Sequence, residues 1–134
     1  MKFLLDTVAV IRHFSCEGRI GKKASLILEN IEQSNDSLII SVVSLMEILY
    51  LSEKNRIPID LNDTLIKIYA SSKYTIINLS PEILKVAAKT RFYELHDRLI
   101  VSTAKWLNIA IISSDKRFEE IEGITVIWDD EKKY

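Results

Sequence analysis

Residues 37–54 read SLIISVVSLMEILYLSEK and contain the unit from which the fold can be inferred. The first part, Ser37–Ser41, is short and apolar without any alternation in polarity, which predicts a strand that is buried on both faces. From Val43 to Lys54 the apolar residues recur at helical spacing, and Glu47 lies on the polar side. A buried strand that is followed at once by a helix is typical of a parallel sheet covered by helices.

Short apolar runs alternate with helical patterns along the whole chain. Strands are predicted at Lys2–Leu5, Ser37–Ser41, Tyr74–Leu79, Ile109–Ile112 and Ile124–Trp128. Helices are predicted at Val8–Phe14, Gly21–Ile31, Val43–Lys54, Asp60–Ser71, from Pro81 towards Thr90 and from His96-Asp97 to Leu107, with a short turn around Phe118. The pattern therefore predicts an α/β fold, a helix–sheet–helix sandwich around a mostly parallel central sheet of about five strands. The charged end, from Asp129 onwards, is predicted to be solvated.

The composition favours one compact cytosolic domain that covers residues 1–134. A chain of 134 residues is too short for two well-filled cores, and with 3 glycines and 2 prolines it has no room for a flexible linker. Cys16 is the only cysteine, so no internal disulfide links the fold to an oxidising compartment. Asp6 interrupts the apolar N-terminal stretch and no small-residue cleavage site follows, which argues against a signal peptide. No apolar run is long enough for a membrane span.

Four acidic residues stand where parallel sheets carry their ligands. Asp6 and Asp115 directly follow the first and fourth predicted strands, and ligands of open parallel sheets bind outside the carboxyl ends of the strands. Glu47 lies near the start of the helix that follows the second strand, so it is expected at the same edge. Asp97 opens a helix that must run back before the fourth strand begins, and the pattern alone does not place it.

Each acid also has a structural explanation when it is considered alone. Asp6 is a common residue at a strand end, and Asp115 could cap the turn that follows it. Glu47 stands three residues after Ser44, which is the spacing of a capping box, and Asp97 could be an N-cap. The four together are harder to explain in this way, because each interrupts strongly apolar surroundings.

Carboxylates gathered in one pocket would repel each other and raise their own pKa values, and a divalent cation would remove that conflict. Oxygen ligands without a nearby cysteine or a required histidine indicate a hard ion, Mg²⁺ or Mn²⁺, and such ions usually act on phosphates. The formal net charge of −1 argues against tight binding of duplex nucleic acid. It becomes +3 once the four carboxylates are set aside, which permits contact with a short or folded RNA.

Four segments resemble, in this order, the signature segments of PIN domains. They are LLDT at Leu4–Thr7, SVVSLMEILYL at Ser41–Leu51, HDRLIVSTA at His96–Ala104 and IISSDKRF at Ile111–Phe118. The segments span nearly the whole chain, and the third and fourth together are the most specific. The length of the chain is similar to that of a free-standing, VapC-type toxin ribonuclease of a toxin–antitoxin pair.

The resemblance implies a set of acids that holds one or two Mg²⁺ or Mn²⁺ ions, with an activated water that cleaves an RNA phosphodiester. The matching positions are Asp6, Glu47, Asp97 and Asp115. By this likeness Asp6 and Asp97 would be direct ligands, and Glu47 would bind metal or orient the water. Asp115 would complete a second metal position or hold a bridging water.

Other residues have supporting roles under the same resemblance. Thr7 and Ser113 match hydroxyl positions that support the acids. Four basic residues near the acids are candidates for RNA contact or for an ordinary solvated face: Arg12, Arg98, Lys116 and Arg117. His96 is interpreted as a surface or capping group and not as a proton shuttle. The expected partners are an RNA substrate, a small antitoxin protein that covers the site and a second copy of the chain, with no membrane.

Three other functions stay open. Val8 occupies a position where the family often has Asn or Ser, so a degenerate PIN scaffold that binds a partner without cleaving RNA is the first alternative. A phosphatase with Asp6 as nucleophile would normally have another Asp at the position of Val8. A receiver-like signalling module would need an acid pair after the first strand and a lysine after the fifth, and neither is evident.

Overall fold

The structure is a computed structural model that describes residues 1–129. Residues 130–134, which make up most of the predicted solvated end, lie outside the described residues. The strands are β1 (Lys2–Leu5), β2 (Ser37–Ser41), β3 (Tyr74–Ile77), β4 (Ala110–Ile112) and β5 (Val126–Ile127). The helices are α1 (Thr7–Ser15), α2 (Lys22–Glu29), α3 (Val42–Glu53), α4 (Leu61–Tyr69), α5 (Pro81–Ala88) and α6 (Leu95–Leu107), followed by a 3-10 turn at Lys116–Glu120.

β1 lies at the centre of a five-stranded sheet in which every pair of neighbours is parallel and the order is β3-β2-β1-β4-β5. Leu4, in the middle of β1, stands opposite Ile39 of β2 and Ile111 of β4. The predicted α/β class is therefore confirmed, and the sheet is entirely parallel. The strand order reverses between β1 and β4, which is the kind of point where open sheets form a ligand crevice at their carboxyl ends.

Each face of the sheet has its own core, because successive residues of a strand point to opposite faces. Phe3 and Leu5 of β1 belong to a first core that they share with side chains of α1, α2, α3 and α4. Leu4 belongs to a second core, formed mainly with α5, α6 and Phe118 of the 3-10 turn. Burial on both faces explains why the strands are continuous apolar runs, and it confirms the predicted sandwich.

Several element ends differ from the predictions. α6 begins at Leu95 and not at His96-Asp97, because Glu94 is its N-cap and accepts a hydrogen bond from the Asp97 amide at 2.8 Å. The last strand was predicted to extend from Ile124 to Trp128, but it is limited to Val126–Ile127 because only these residues pair with β4. Apolar periodicity reports which residues are buried, whereas a strand ends where its hydrogen-bonded pairing with the neighbouring strand ends.

α6 is the longest helix in the part of the chain that the structure describes, with 13 residues. Ile100, Val101 and Ala104 are fully buried on its inner side, whereas Trp106 near its end is 46% exposed. No helix within residues 1–129 combines the length and the apolar character needed to cross a bilayer.

Candidate active site

Asp6 lies at the carboxyl edge of the sheet, beside the crevice between β1 and β4, where the strand order reverses. It follows β1 directly and is the N-cap of α1, where its Oδ1 accepts a hydrogen bond from the Ala9 amide at 2.8 Å. Its Oδ2 accepts a hydrogen bond from the Ser113 hydroxyl, which follows the neighbouring strand β4. Asp6 is only 7% exposed. It thus ends its strand and caps its helix, and it also brings a buried acid to the crevice between β1 and β4.

Asp115 follows β4 and is held by a basic neighbour. Its Oδ1 accepts a hydrogen bond from the Arg117 amide at 3.0 Å, so Asp115 caps the 3-10 turn as predicted. The Arg117 guanidinium donates to both carboxylate oxygens, from Nε at 3.0 Å and from Nη2 at 2.6 Å. The Asp115 amide donates to Ser113 Oγ at 3.0 Å, and therefore one serine connects Asp115 to Asp6.

Glu47 projects from α3 towards the first turns of α1 and α6. The Thr7 hydroxyl donates to its Oε1, and His96 Nδ1 lies 3.1 Å from its Oε2. Thr7 Oγ1 also lies 2.9 Å from the hydroxyl of Ser44, which is completely buried. The alternative explanation of Ser44 and Glu47 as a capping box is wrong, because the N-cap of α3 is Ser41, three residues before Ser44.

Asp97, which the sequence pattern did not place, belongs to the same cluster. α6 ends just before β4 begins at the amino edge of the sheet, so the first turn of α6 lies at the carboxyl edge. The alternative explanation of Asp97 as an N-cap is wrong, since Glu94 has that role and accepts a hydrogen bond from the Asp97 amide. Its Oδ2 instead lies 3.8 Å from the Arg117 guanidinium. The structure therefore brings all four predicted acids together.

Two of the four acids ionise outside their usual range. Burial raises the pKa of Asp6 to about 6, although hydrogen bonds from Ser113 and from the Ala9 amide oppose the rise. Burial likewise raises the pKa of Asp97 to about 6, and neighbouring carboxylates add to the effect: Glu94, Glu47, Asp115 and Asp6. Such a rise is the expected response of acids that share a partly dry pocket with too little positive charge.

Asp115 shows the opposite behaviour. The side-chain hydrogen bonds from Arg117 hold the pKa of Asp115 below its usual value, although burial opposes this. The same guanidinium stacks on the ring of Phe92, 5.0 Å from the ring centroid, which fixes its position. The negative charge of Asp115 is therefore already neutralised by Arg117.

The four basic residues predicted as candidate RNA contacts differ in position. Arg117 reaches the acids directly, and Arg98 lines a cavity beside them. Lys116 is exposed on the same 3-10 turn. Arg12 is engaged elsewhere, because its Nη1 donates to the Arg19 carbonyl at 2.7 Å and the side chain lines a separate cavity. Contact of these residues with RNA stays a prediction.

Three neighbours of the acids have roles that the sequence pattern did not assign: Ser44, Glu94 and His96. His96 was interpreted as a surface or capping group, but it contacts Glu47 and lies 3.7 Å from Glu94. Glu94 caps α6 and places negative charge beside Asp97. Spacing offered a signal for Glu94, since it precedes Asp97 by the three residues that separate an N-cap from the amide it binds. No local pattern pointed to the contact of His96 with Glu47, because 49 residues separate them.

The donor set suits a hard divalent cation. Carboxylate oxygens are the ligands that Mg²⁺ and Mn²⁺ prefer, and a cation would relieve the repulsion that raises two of the pKa values. Within residues 1–129, no three acidic, histidine or cysteine side chains are already arranged as a set of metal ligands. The oxygens are engaged with protein partners instead, such as Ser113 for Asp6, Thr7 for Glu47 and Arg117 for Asp115.

The sequence matches the family model described as PIN domain over residues 3–124. A search of curated proteins found no match. The matched range contains all four acids together with Thr7 and Ser113.

Solved structures of toxin–antitoxin complexes share the fold. A VapBC2 structure from Rickettsia felis, bound to a promoter DNA fragment, aligns with a TM-score of 0.72 at 19% identity and covers 96% of this chain and 100% of that chain. DNA-bound VapBC from Salmonella typhimurium gives a TM-score of 0.67 at 18% identity, covering 96% and 98%. A toxin–antitoxin complex from Klebsiella pneumoniae gives a TM-score of 0.61 at 26% identity, covering 92% and 94%.

Proposed function

This chain belongs to the PIN domain family, and we propose that it is a metal-dependent endoribonuclease that serves as the toxin of a type II toxin–antitoxin pair. One observation carries the proposal: four acids from separate parts of the chain meet at the carboxyl edge of the sheet, and the pKa of two of them is raised to about 6. Buried acids that repel one another destabilise a fold, so such a cluster is a candidate for function.

We propose Mg²⁺ or Mn²⁺ as the cofactor. Asp6 and Asp97 would be direct ligands, because the charge around them is the least compensated. Glu47 would bind the ion or orient a water molecule, and Asp115 would complete a second position or hold a bridging water. The chemistry that such an ion supplies is activation of water for attack and neutralisation of charge on the phosphodiester.

The neighbouring side chains would keep the acids in position before substrate binds. Ser113 orients Asp6 and Thr7 orients Glu47, each by a hydroxyl that donates to the carboxylate. Arg117 would have to release part of its contact with Asp115 before that acid could take another ligand. Its guanidinium would then be available for a phosphate oxygen, which it matches in geometry.

The similar complexes bear on one of the proposed partners, the antitoxin. Solved VapBC and other toxin–antitoxin complexes share this fold, which supports an antitoxin as partner, and we propose that it is a small protein that covers the acids. We extend the proposal to a homodimer, to a single domain over residues 1–134 and to action on RNA in the cytoplasm. The family match favours the nuclease over the phosphatase and receiver-like alternatives.

The test is cleavage of a structured RNA pool by antitoxin-free protein in Mg²⁺, Mn²⁺ or EDTA. Wild type is compared with Asp97→Asn and with the control Asp63→Asn. Asp63 is an exposed acid in the first turn of α4, where its amide donates to the Asp60 carboxylate at 2.8 Å, just as the Asp97 amide donates to Glu94. We expect Asp97→Asn to lose at least about 100-fold in rate and the control to behave as wild type.

Metal-dependent cleavage that persists in the control and disappears in Asp97→Asn would support the proposal. A folded wild type that cleaves no RNA at any concentration of Mg²⁺ or Mn²⁺ would overturn it. The degenerate scaffold would then be preferred, for which Val8, 41% exposed and two residues after Asp6, is the indication in the sequence.

A further inference from the structure

A cavity of about 710 Å³ lies beside the acids, between the loop that joins α5 to α6 and the 3-10 turn. Its lining contains four cations and one carboxylate: Lys89, Arg91, Arg98, Arg117 and Glu120. Two aromatic rings, Phe92 and Tyr93, also line it. We refer to it as the basic–aromatic cavity.

The positive charge of this cavity is largely uncompensated. Within residues 1–129, no hydrogen bond or ion pair joins the side chains of Lys89, Arg91 or Arg98 to an acid. The Nε of Arg98 is in addition buried without a hydrogen-bond partner. Cations that line a concave surface attract anions, and guanidinium groups match the oxygens of a phosphate.

The aromatic side of the cavity is built on the core. Phe92 packs on the buried ring of Phe118, with 5.0 Å between the centroids. The Arg117 guanidinium lies over the ring of Phe92, 5.0 Å from its centroid. Tyr93 lies 6.1 Å from Phe92 but remains 91% exposed. A single exposed tyrosine is unexceptional on a protein surface. An exposed ring beside unpaired arginines is the combination that binds single-stranded nucleic acid, with bases stacked on the ring and phosphates on the cations.

The cavity is continuous with the acidic cluster. Arg117 lines the cavity, and its Nη2 also lies 2.6 Å from Asp115 and 3.8 Å from Asp97. Arg98 directly follows Asp97 in α6. A nucleotide bound in the cavity would therefore present its neighbouring phosphodiester to the acids.

We propose that the basic–aromatic cavity binds an unpaired nucleotide next to the phosphodiester that is cut, with its phosphate on Arg91 and Arg98 and its base stacked on Tyr93. This inference rests on the proposed ribonuclease function and assigns the residues that would hold the nucleotide beside the cut. An acidic peptide would satisfy the cations but would leave the face of Tyr93 unused, so RNA is the occupant that the lining favours.

The test is equilibrium binding of a fluorescently labelled single-stranded oligoribonucleotide to the full chain in EDTA, measured by anisotropy over a range of salt concentrations. The cavity variants are Tyr93→Ala and Arg91→Gln. The controls are Tyr69→Ala and Arg56→Gln, which change an exposed tyrosine at the end of α4 and an exposed arginine after α3. All four side chains are exposed, so the variants should fold, which circular dichroism verifies.

We expect Tyr93→Ala to weaken binding by about 5-fold or more. Arg91→Gln should lower the slope of log affinity against log salt by about 0.7, as expected for one lost phosphate contact to a single strand. Neither control should change the affinity.

Wild-type affinity in both cavity variants would overturn the inference, even if the protein cleaves RNA, and so would absence of RNA binding by the wild type. A labelled polyglutamate peptide provides a second arm. If that peptide loses affinity in both cavity variants while the RNA does not, the cavity is a protein-docking site and the inference fails. If wild type binds RNA through the cavity but never cleaves it with metal, the nuclease proposal fails and the cavity assignment stands.

Discussion

Asp6 and Asp115 follow neighbouring strands and are joined through one serine, yet their charges are controlled differently. Asp6 is buried, has no ion pair with any residue in the range 1–129, and its pKa is raised to about 6. Asp115 is held by Arg117 through two hydrogen bonds, and its pKa is lowered. The end of a parallel strand thus decides where an acid lies, whereas the nearest partner decides how readily it ionises.

The difference divides the site into two halves. The half with Asp6 and Asp97 carries negative charge that is poorly neutralised, because the only cation that forms an ion pair with it within residues 1–129 is Arg117, 3.8 Å from Asp97, and Arg117 is already paired with Asp115. A bound cation would therefore stabilise this half most. The half with Asp115 is already paired with Arg117, so a cation there must compete with a side chain that the protein itself supplies. We therefore expect metal to bind first beside Asp6 and Asp97.

The largest expected effect comes from Asp6→Asn, which removes the proposed ligand in the uncompensated half. Loss of a group that only supports a metal ligand typically lowers activity by about 10- to 100-fold, so loss of a direct ligand should lower cleavage by at least about 100-fold. The rise in melting temperature that Mg²⁺ produces in the wild type should also be strongly reduced. A variant that cleaves and is stabilised like the wild type would show that Asp6 is not a ligand.

The same variant isolates the pH dependence that burial of Asp6 creates. The folded pKa of about 6 lies above the ordinary value of 3.8, so the folded state binds the proton more tightly than the unfolded state does. Relative to Asp6→Asn, metal-free wild type should therefore gain about 1 kcal/mol in its free energy of unfolding from pH 7 to pH 5. Urea unfolding at both pH values measures this difference, and parallel pH profiles would contradict it.

A smaller effect is expected from Ser113→Ala, which removes the hydroxyl shared by both halves. Near neutral pH the variant should lose about 1–2 kcal/mol of unfolding free energy, because a buried carboxylate loses its donor. The loss should shrink towards pH 5, where Asp6 is protonated in the folded state. The control is Ser25→Ala, because the Ser25 hydroxyl donates to Glu29 at 2.9 Å on the protein surface and should matter little. Equal losses in both variants would show that burial does not strengthen the Ser113 bond.

The smallest effect is expected from Arg117→Gln, which removes the cation from the paired half. The exposed pair of Arg117 and Asp115 should oppose metal binding only weakly, so Mn²⁺ affinity should rise a few-fold, on the order of 1 kcal/mol or less. Calorimetric titration of the metal-free protein measures the change. Lys116→Gln removes the same charge from the same turn without a contact to Asp115, and it should change the affinity less. A fall in affinity would mean that Arg117 supports the metal site instead of competing with it.

The sequence allowed much of the fold to be predicted, because helices and strands that bury one or both faces leave a periodic pattern that can be read locally. Lys2–Leu5 and Ser37–Ser41 were predicted with their observed ends. The positions of Asp6, Glu47 and Asp115 at one sheet edge followed from the rule for parallel strands. The cap residues were harder to predict, since Ser44 has the same capping chemistry as the observed cap Ser41, and Asp97 is by residue type a better cap than the observed cap Glu94.

The amino-acid pattern alone therefore established the α/β class, the buried strands and three acids at a common edge, because each depends on residues close together in the chain. Only the tertiary structure brought Asp97 to that edge and paired Glu47 with His96. These relations join residues that are distant in sequence, such as Ser113 and Asp6, which are 107 residues apart. Local spacing carries no information about which distant side chains come into contact. It therefore could not show that Asp6 is buried deeply enough for its pKa to be raised.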